Sequence, residues 1–263
     1  MNETLQLIDR RTSLRTYADR PIEGAHVEAI LESAMRAPTA GNMMLYSIVR
    51  VSDPEKKRAL AETCGHAFIA EAPLVLLFLA DMQRWVDFFD GGDVRTYCEE
   101  EGLEHRMPDP SKLLMSCCDA MVAAQNTVIA AESLGIGSCY IGDIMGHAEE
   151  HRVLFDLPAF ALPITLLCYG YPPDGLELKK RERFDRKFII HQDAYVRSST
   201  TDLDEMMRDI RKRFSRVLKE RGLNLPQLTY KGFMAGAAAL EERRSVGLLL
   251  EPWLDAADKE RAE

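Results

Sequence analysis

The sequence has no C-x-x-C pair. Its six cysteines, Cys64, Cys98, Cys117, Cys118, Cys139 and Cys168, are scattered, and only Cys117 and Cys118 are neighbours. That pattern reads as reduced thiols and argues against a disulfide frame or a zinc or iron–sulfur site. The opening MNETLQLIDRR lacks the basic-then-apolar plan of a leader, and continuous apolar runs such as residues 74–80 are too short to cross a bilayer. A cytoplasmic protein without a membrane partner is the expectation. Positive charge is also scarce: 33 Lys and Arg stand against 42 Asp and Glu, for a net charge of −9. Such a chain repels phosphate at long range, so no nucleic-acid partner is expected, and an anionic ligand must be held by a local basic cluster. Internal repeats and low-complexity stretches are absent too.

What is present suits one folded domain with an extension: 263 residues, 46% of them hydrophobic. Residues 3–10 read as a short helix. Residues 26–37 place Val27, Ile30, Leu31, Ala34 and Met35 on one helical face. Residues 46–51, 72–80 and 164–170 read as strands. Asp53 followed by Pro54 is a helix start. Residues 112–134 are apolar nearly all round and end at Gly135, which predicts a helix buried on most faces, within the chain or between subunits. Residues 82–110 carry Trp85, Phe88, Phe89 and Tyr97 among acids and end at Pro108 and Pro110. They read either as a lid-like insertion or as a surface helix packing its aromatics on the domain. From residue 196 the chain turns highly charged, with a helix over 202–221, and 196–263 reads as a C-terminal helical extension. Its apolar stretch 245–254 needs a surface to cover it, and a partner subunit is the expected one. The irregular mixture of helices and strands predicts an α+β fold.

Three segments concentrate the chemistry. In Arg10-Arg11-Thr12-Ser13-Leu14-Arg15-Thr16-Tyr17, an extended backbone would put Arg11, Ser13 and Arg15 on one side. Two guanidiniums and a hydroxyl there make an anion site, because arginine pairs with phosphate through parallel hydrogen bonds. Ala37-Pro38-Thr39-Ala40-Gly41-Asn42-Met43-Met44 joins a helix to a strand with small residues that let a ligand approach the backbone. Glu177-Leu178-Lys179-Lys180-Arg181-Glu182-Arg183 is a second local concentration of positive charge.

In this order the segments resemble the FMN-dependent nitroreductase and flavin reductase family. Arg11-Thr12-Ser13-Leu14-Arg15 resembles its R-R-S-x-R opening, and Ala37 to Met43 its A-P-(S/T)-x-x-N segment. Leu134-Gly135-Ile136-Gly137-Ser138-Cys139-Tyr140-Ile141-Gly142 resembles its LGLG…YIG stretch, and Lys179-x-Arg181 its late K-x-R. The match spans roughly residues 5–195. It implies a nitroreductase-like α+β fold, a central mixed β-sheet flanked by helices, in an intertwined homodimer. It implies bound FMN, NADH or NADPH as donor, and hydride transfer on to a small acceptor such as a nitroaromatic or quinone. Arg11, Lys179 and Arg181 would hold the FMN phosphate, Ser13 would support the phosphate or the ribityl chain, and Thr12 would join the cofactor-binding residues. Arg15 would lie near N1 and O2 of the ring. Thr39, Ala40, Gly41, Asn42 and Met43 would line the ring from the partner subunit, His66 would stand near it, and Ile141 and Gly142 would close the site through their backbone. The flavin would carry the redox step, so no side chain is expected to act as a catalytic acid or base. His66 stands where members often have glutamine, and Asp143 where many have a second glycine.

Other readings compete. A non-catalytic FMN carrier would use the same phosphate site. His147-Ala148-Glu149-Glu150-His151 matches the H-x-x-E-H of inverted zinc peptidases. A dinucleotide fingerprint fails, because Tyr140 stands where its third glycine belongs.

Overall fold

The fold is that of a computed structural model, which describes the backbone of residues 1–259 and side chains as far as residue 254. The last four residues of the 196–263 extension lie outside it. Along the first half run α1 (Glu3–Arg10), α2 (Gly24–Met35), β1 (Tyr46–Arg50), α3 (Pro54–Thr63), α4 (Phe68–Glu71), β2 (Leu74–Asp81), α5 (Gln83–Gly91), α6 (Val94–Glu101) and α7 (Pro110–Ser133). There follow β3 (Gly137–Ile141), α8 (Ala148–Phe155), β4 (Ala161–Gly170), α9 (Thr200–Met206), α10 (Arg208–Arg221), α11 (Leu225–Phe233) and α12 (Ala237–Lys259).

The four strands form one sheet in the order β1-β2-β4-β3, every pair antiparallel. The expected mixed character is confined to one parallel bridge, Ser13 to Ser138, on the open side of β3. β2 and β4 lie in the middle and are covered on both faces, which is why both read as nearly continuous apolar runs, broken by Asp81 at the end of β2 and by Thr165 in β4. Alternate residues of β2 serve opposite layers. Leu74, Leu76 and Phe78 pack with α2 and α7, whereas Val75, Leu77 and Leu79 pack with residues of α3 and α4. Asp53 caps α3 as expected, its carboxylate accepting from Glu55 N at 2.8 Å.

By length and mean hydropathy α7 would pass for a membrane span. It is instead the core helix, packed on α2 and on all four strands. It ends in a left-handed Gly135 (φ 73°), as the sequence suggested.

Two compact units divide the chain: residues 1–179 with 241–263, and residues 180–240. The change in charge at residue 196 therefore falls inside the second unit. There α9 and α10 are separate helices, broken at Met207 where one helix over 202–221 was expected. The run 245–254 departs from expectation in a second way: its own chain covers it. Leu249 and Trp253 are buried with Leu45, Met82 and Leu162, and the Trp253 ring meets Phe160 edge-on at 5.2 Å. Polar contacts hold α12 in place. Arg244 clamps Glu149 of α8 with two bonds, at 2.7 and 2.9 Å, and Ser245 Oγ accepts from Ala148 N at 3.1 Å.

Candidate cofactor site

β3 is an edge strand, and an edge presents unpaired backbone groups. Residues 11–15 take up that edge, with Leu14 N donating to Ser138 O at 2.9 Å. Leu14 is fully buried, so its sequence neighbours Ser13 and Arg15 face the other way. Gly137 makes the approach possible. A Cβ there would stand 2.7 Å from Leu14 Cδ2 and 2.8 Å from Leu14 Cβ.

Arg11, Ser13 and Arg15 alternate along this segment, and all three influence the Cys139 thiol. Burial pushes that thiol up, and Arg15, Ser13 and Arg11 pull it partly back. Burial likewise raises Glu132, which Arg11 and Arg10 pull down, and lifts the Tyr140 phenol to about 12 against the pull of Arg11. These neighbours leave Arg11 incompletely satisfied. Its Nη1 is buried without a hydrogen-bond partner, and so is the nearby Ser138 Oγ. A buried donor left unpaired costs about 1–3 kcal/mol, more if charged. Both atoms are matched to an acceptor such as a phosphate oxygen. Thr12 differs, since its hydroxyl donates to Arg10 O at 3.3 Å and so is used by the end of α1.

The other end of β3 carries Ile141, buried, and Gly142, exposed. His66 reaches it from the turn after α3, which Gly65 permits with φ 69°. Its Nε2 lies 3.2 Å from Asp143 Oδ2, and its ring stacks on Phe68 at 5.3 Å. Arg11, Ser13 and Arg15, then Ile141 and Gly142, then His66 are thus strung along one strand.

Thr39 to Met43 form a separate feature, a distorted 3-10 turn over Ala40–Asn42. Gly41, Asn42 and Met44 all have positive φ, at 58°, 59° and 52°. The Thr39 hydroxyl donates to Asp119 of α7 and accepts from Met44 N at 2.8 Å, so it ties the loop to itself and to α7. Among the described residues no hydrogen bond joins this loop to Arg11, Ser13 or Arg15. Lys179 is exposed at the end of the first unit, and Arg181 is exposed in the second.

Sequence reasoning missed Asp119, Trp85, Ser138 and Cys139. Asp119 had a signal, being the one charged residue between Lys112 and Glu132. Trp85 donates to Met43 O at 3.1 Å, so α5 packs against the 39–43 loop. The H-x-x-E-H motif is otherwise engaged. His151 is buried, its Nδ1 donates to Ile144 O at 2.9 Å, and its Nε2 faces the Thr63 hydroxyl at 2.9 Å. Neither ring nitrogen is left for a metal.

Comparison with known proteins identifies the family. The nitroreductase family profile matches residues 8–171. An FMN reductase (NADPH) of Bacillus subtilis is 30% identical over 224 residues, 84% of this chain and 85% of the relative. An oxygen-insensitive NADPH nitroreductase of Salmonella typhimurium is 31% identical over 196 residues, 74% of this chain and 75% of the relative. Among solved structures, the NfrA1 nitroreductase of B. subtilis superposes with a TM-score of 0.75 at 27% identity, covering 94% of this chain and 98% of that one. With the matching segments in order and the matching fold beneath them, the chain belongs to the nitroreductase family.

Proposed function

We propose that the protein is a cytoplasmic FMN-dependent NAD(P)H oxidoreductase that reduces a small acceptor such as a nitroaromatic or a quinone. The observation that carries this reading is the buried, unpartnered Arg11 Nη1 beside Ser13, Arg15 and Ser138 on the edge of β3. Relatives named as FMN reductases and an NADPH nitroreductase support it. When bound, FMN supplies the redox chemistry, accepting hydride from the nicotinamide nucleotide and passing it to the acceptor. Arg11, with Lys179, holds the phosphate by charge-assisted hydrogen bonds. Ser13 adds a neutral hydrogen bond there. Arg15 presents a fixed cation where negative charge grows on reduction, which favours hydride uptake. Ala40 to Met43 line the ring through backbone and small side chains, with Thr39 holding their shape. Ile141 and Gly142 close the far side, with His66 beside them.

The working unit is a homodimer. α7 exposes Leu114, Met115, Cys118, Met121 and Val122 along one face, an apolar stripe suited to a second copy. Steady-state oxidation of NADH and NADPH by the FMN-loaded protein, with a quinone or nitroarene as acceptor, tests the enzyme reading. Turnover with either nucleotide is expected. Tight FMN binding with no turnover would favour the carrier.

A further inference from the structure

Asp119 is a carboxylate set in the middle of the core helix and 5% exposed. Burying a charge there is costly unless it is fully hydrogen-bonded. Its partners all lie in one distant loop. Oδ1 accepts from Ala40 N at 3.2 Å, while Oδ2 accepts from Leu45 N at 3.2 Å and from the Thr39 hydroxyl. Both ends of the 39–45 loop therefore close on a single side chain. Between the two anchors, Asn42 and Met44 hold left-handed backbone that non-glycine residues avoid. Such a conformation persists only when its surroundings impose it.

We propose that Asp119 is a positioning residue for the flavin reaction: from α7, without touching the cofactor, it imposes on residues 39–45 the shape that meets the flavin ring. This rests on the reading of that loop as flavin-lining. The charge matters as well as the shape. Aspartate offers acceptors only, and three donors converge on it. Asparagine is nearly isosteric but must turn its NH2 toward a donor, at Ala40 N or at the Leu45 N and Thr39 pair. The Thr39 hydroxyl can turn to accept from such an NH2, but the backbone N–H of Ala40 or of Leu45 cannot, so one of the two loses its acceptor. Asp119→Asn thus releases one end of the loop while leaving the helix intact.

The test compares wild type, Asp119→Asn, Thr39→Val and Thr39→Ser. Each is titrated with FMN, and the bound flavin is read by visible circular dichroism and by kcat/KM with NADPH and a quinone. Asp119→Asn and Thr39→Val are expected to raise the FMN Kd about tenfold or more, the scale of one lost hydrogen bond to a charged group, and to alter the flavin dichroism. Thr39→Ser, which restores the hydroxyl, should recover most of the loss. A purely structural Asp119 would lower the melting temperature and leave Kd, dichroism and kcat/KM at wild-type values, and that result overturns the proposal. Should Asp119→Asn not fold, the Thr39 pair decides: equal behaviour of valine and serine overturns it. Wild-type protein that takes up no FMN overturns the flavin reading itself, and this proposal with it.

Discussion

Gly137→Ala adds one methyl group where the 11–15 segment lies against β3. The new Cβ would meet Leu14 Cδ2 at 2.7 Å, Cβ at 2.8 Å and Cγ at 3.3 Å. Contacts under 3.0 Å force movement. Leu14 cannot swing clear, because it is fully buried and its N–H is tied to Ser138 O. The segment must shift as a whole or the core must overpack, at about 1–3 kcal/mol. For a protein of this size that corresponds to a fall in melting temperature of roughly 2–12 °C. The same shift would move Arg11, Ser13 and Arg15 off the phosphate, so the FMN Kd should rise by about tenfold or more. Differential scanning fluorimetry of apo protein and fluorescence titration with FMN measure the two effects. Gly24→Ala, where a Cβ meets nothing within 4 Å, is the matched control and should be neutral or slightly stabilising. A Gly137→Ala protein that melts and binds FMN like wild type would refute the close-approach argument.

Arg11→Ala should weaken FMN by roughly 1.5–3 kcal/mol, or about 10- to 150-fold, and Arg11→Lys should recover only part of that because lysine lacks the planar fork; equal titration curves for the three proteins would remove Arg11 from the phosphate site. Trp253→Ala should cost about 3–5 kcal/mol in urea unfolding, because it empties a core position against Phe160; a loss under about 1 kcal/mol would mean that α12 does not hold the core as described. His151 supplies a pH dependence. Burial holds its folded pKa below the ordinary 6.5, so the unfolded chain binds the proton more readily and stability falls as pH drops below 6.5. His151→Gln should flatten that part of the stability profile, and an unchanged profile would reject the assignment.

Much of the scaffold was legible because its signals are local. Asp53-Pro54 announces a helix start through its own capping chemistry. β2 is apolar from Leu74 to Ala80 because both its faces are covered, and the length of α7 is marked by its composition. The alternation of Arg11, Ser13 and Arg15 was legible because strand period alone decides which side chains share a face. What was missed depends on contacts remote in sequence. Gly137-Ser138-Cys139-Tyr140 has no strand-like pattern and becomes β3 through pairing with β4 and with residue 13. Asp119 binds a loop 74 to 80 residues away, so sequence could mark it as anomalous without naming its partners. The tail's apolar stretch demanded a cover, but nothing local says that Phe160 and Leu162 of its own chain provide it.

The central claim is that residues on the edge of β3 hold an FMN that takes hydride from a nicotinamide nucleotide. An absorbance spectrum of the FMN-loaded, desalted protein, recorded before and after anaerobic NADH and NADPH, tests it most directly. The account predicts a retained flavin spectrum that bleaches with at least one nucleotide, and loss of the retained flavin in Arg11→Ala. A colourless protein after desalting, or a flavin spectrum that neither nucleotide bleaches, would contradict it.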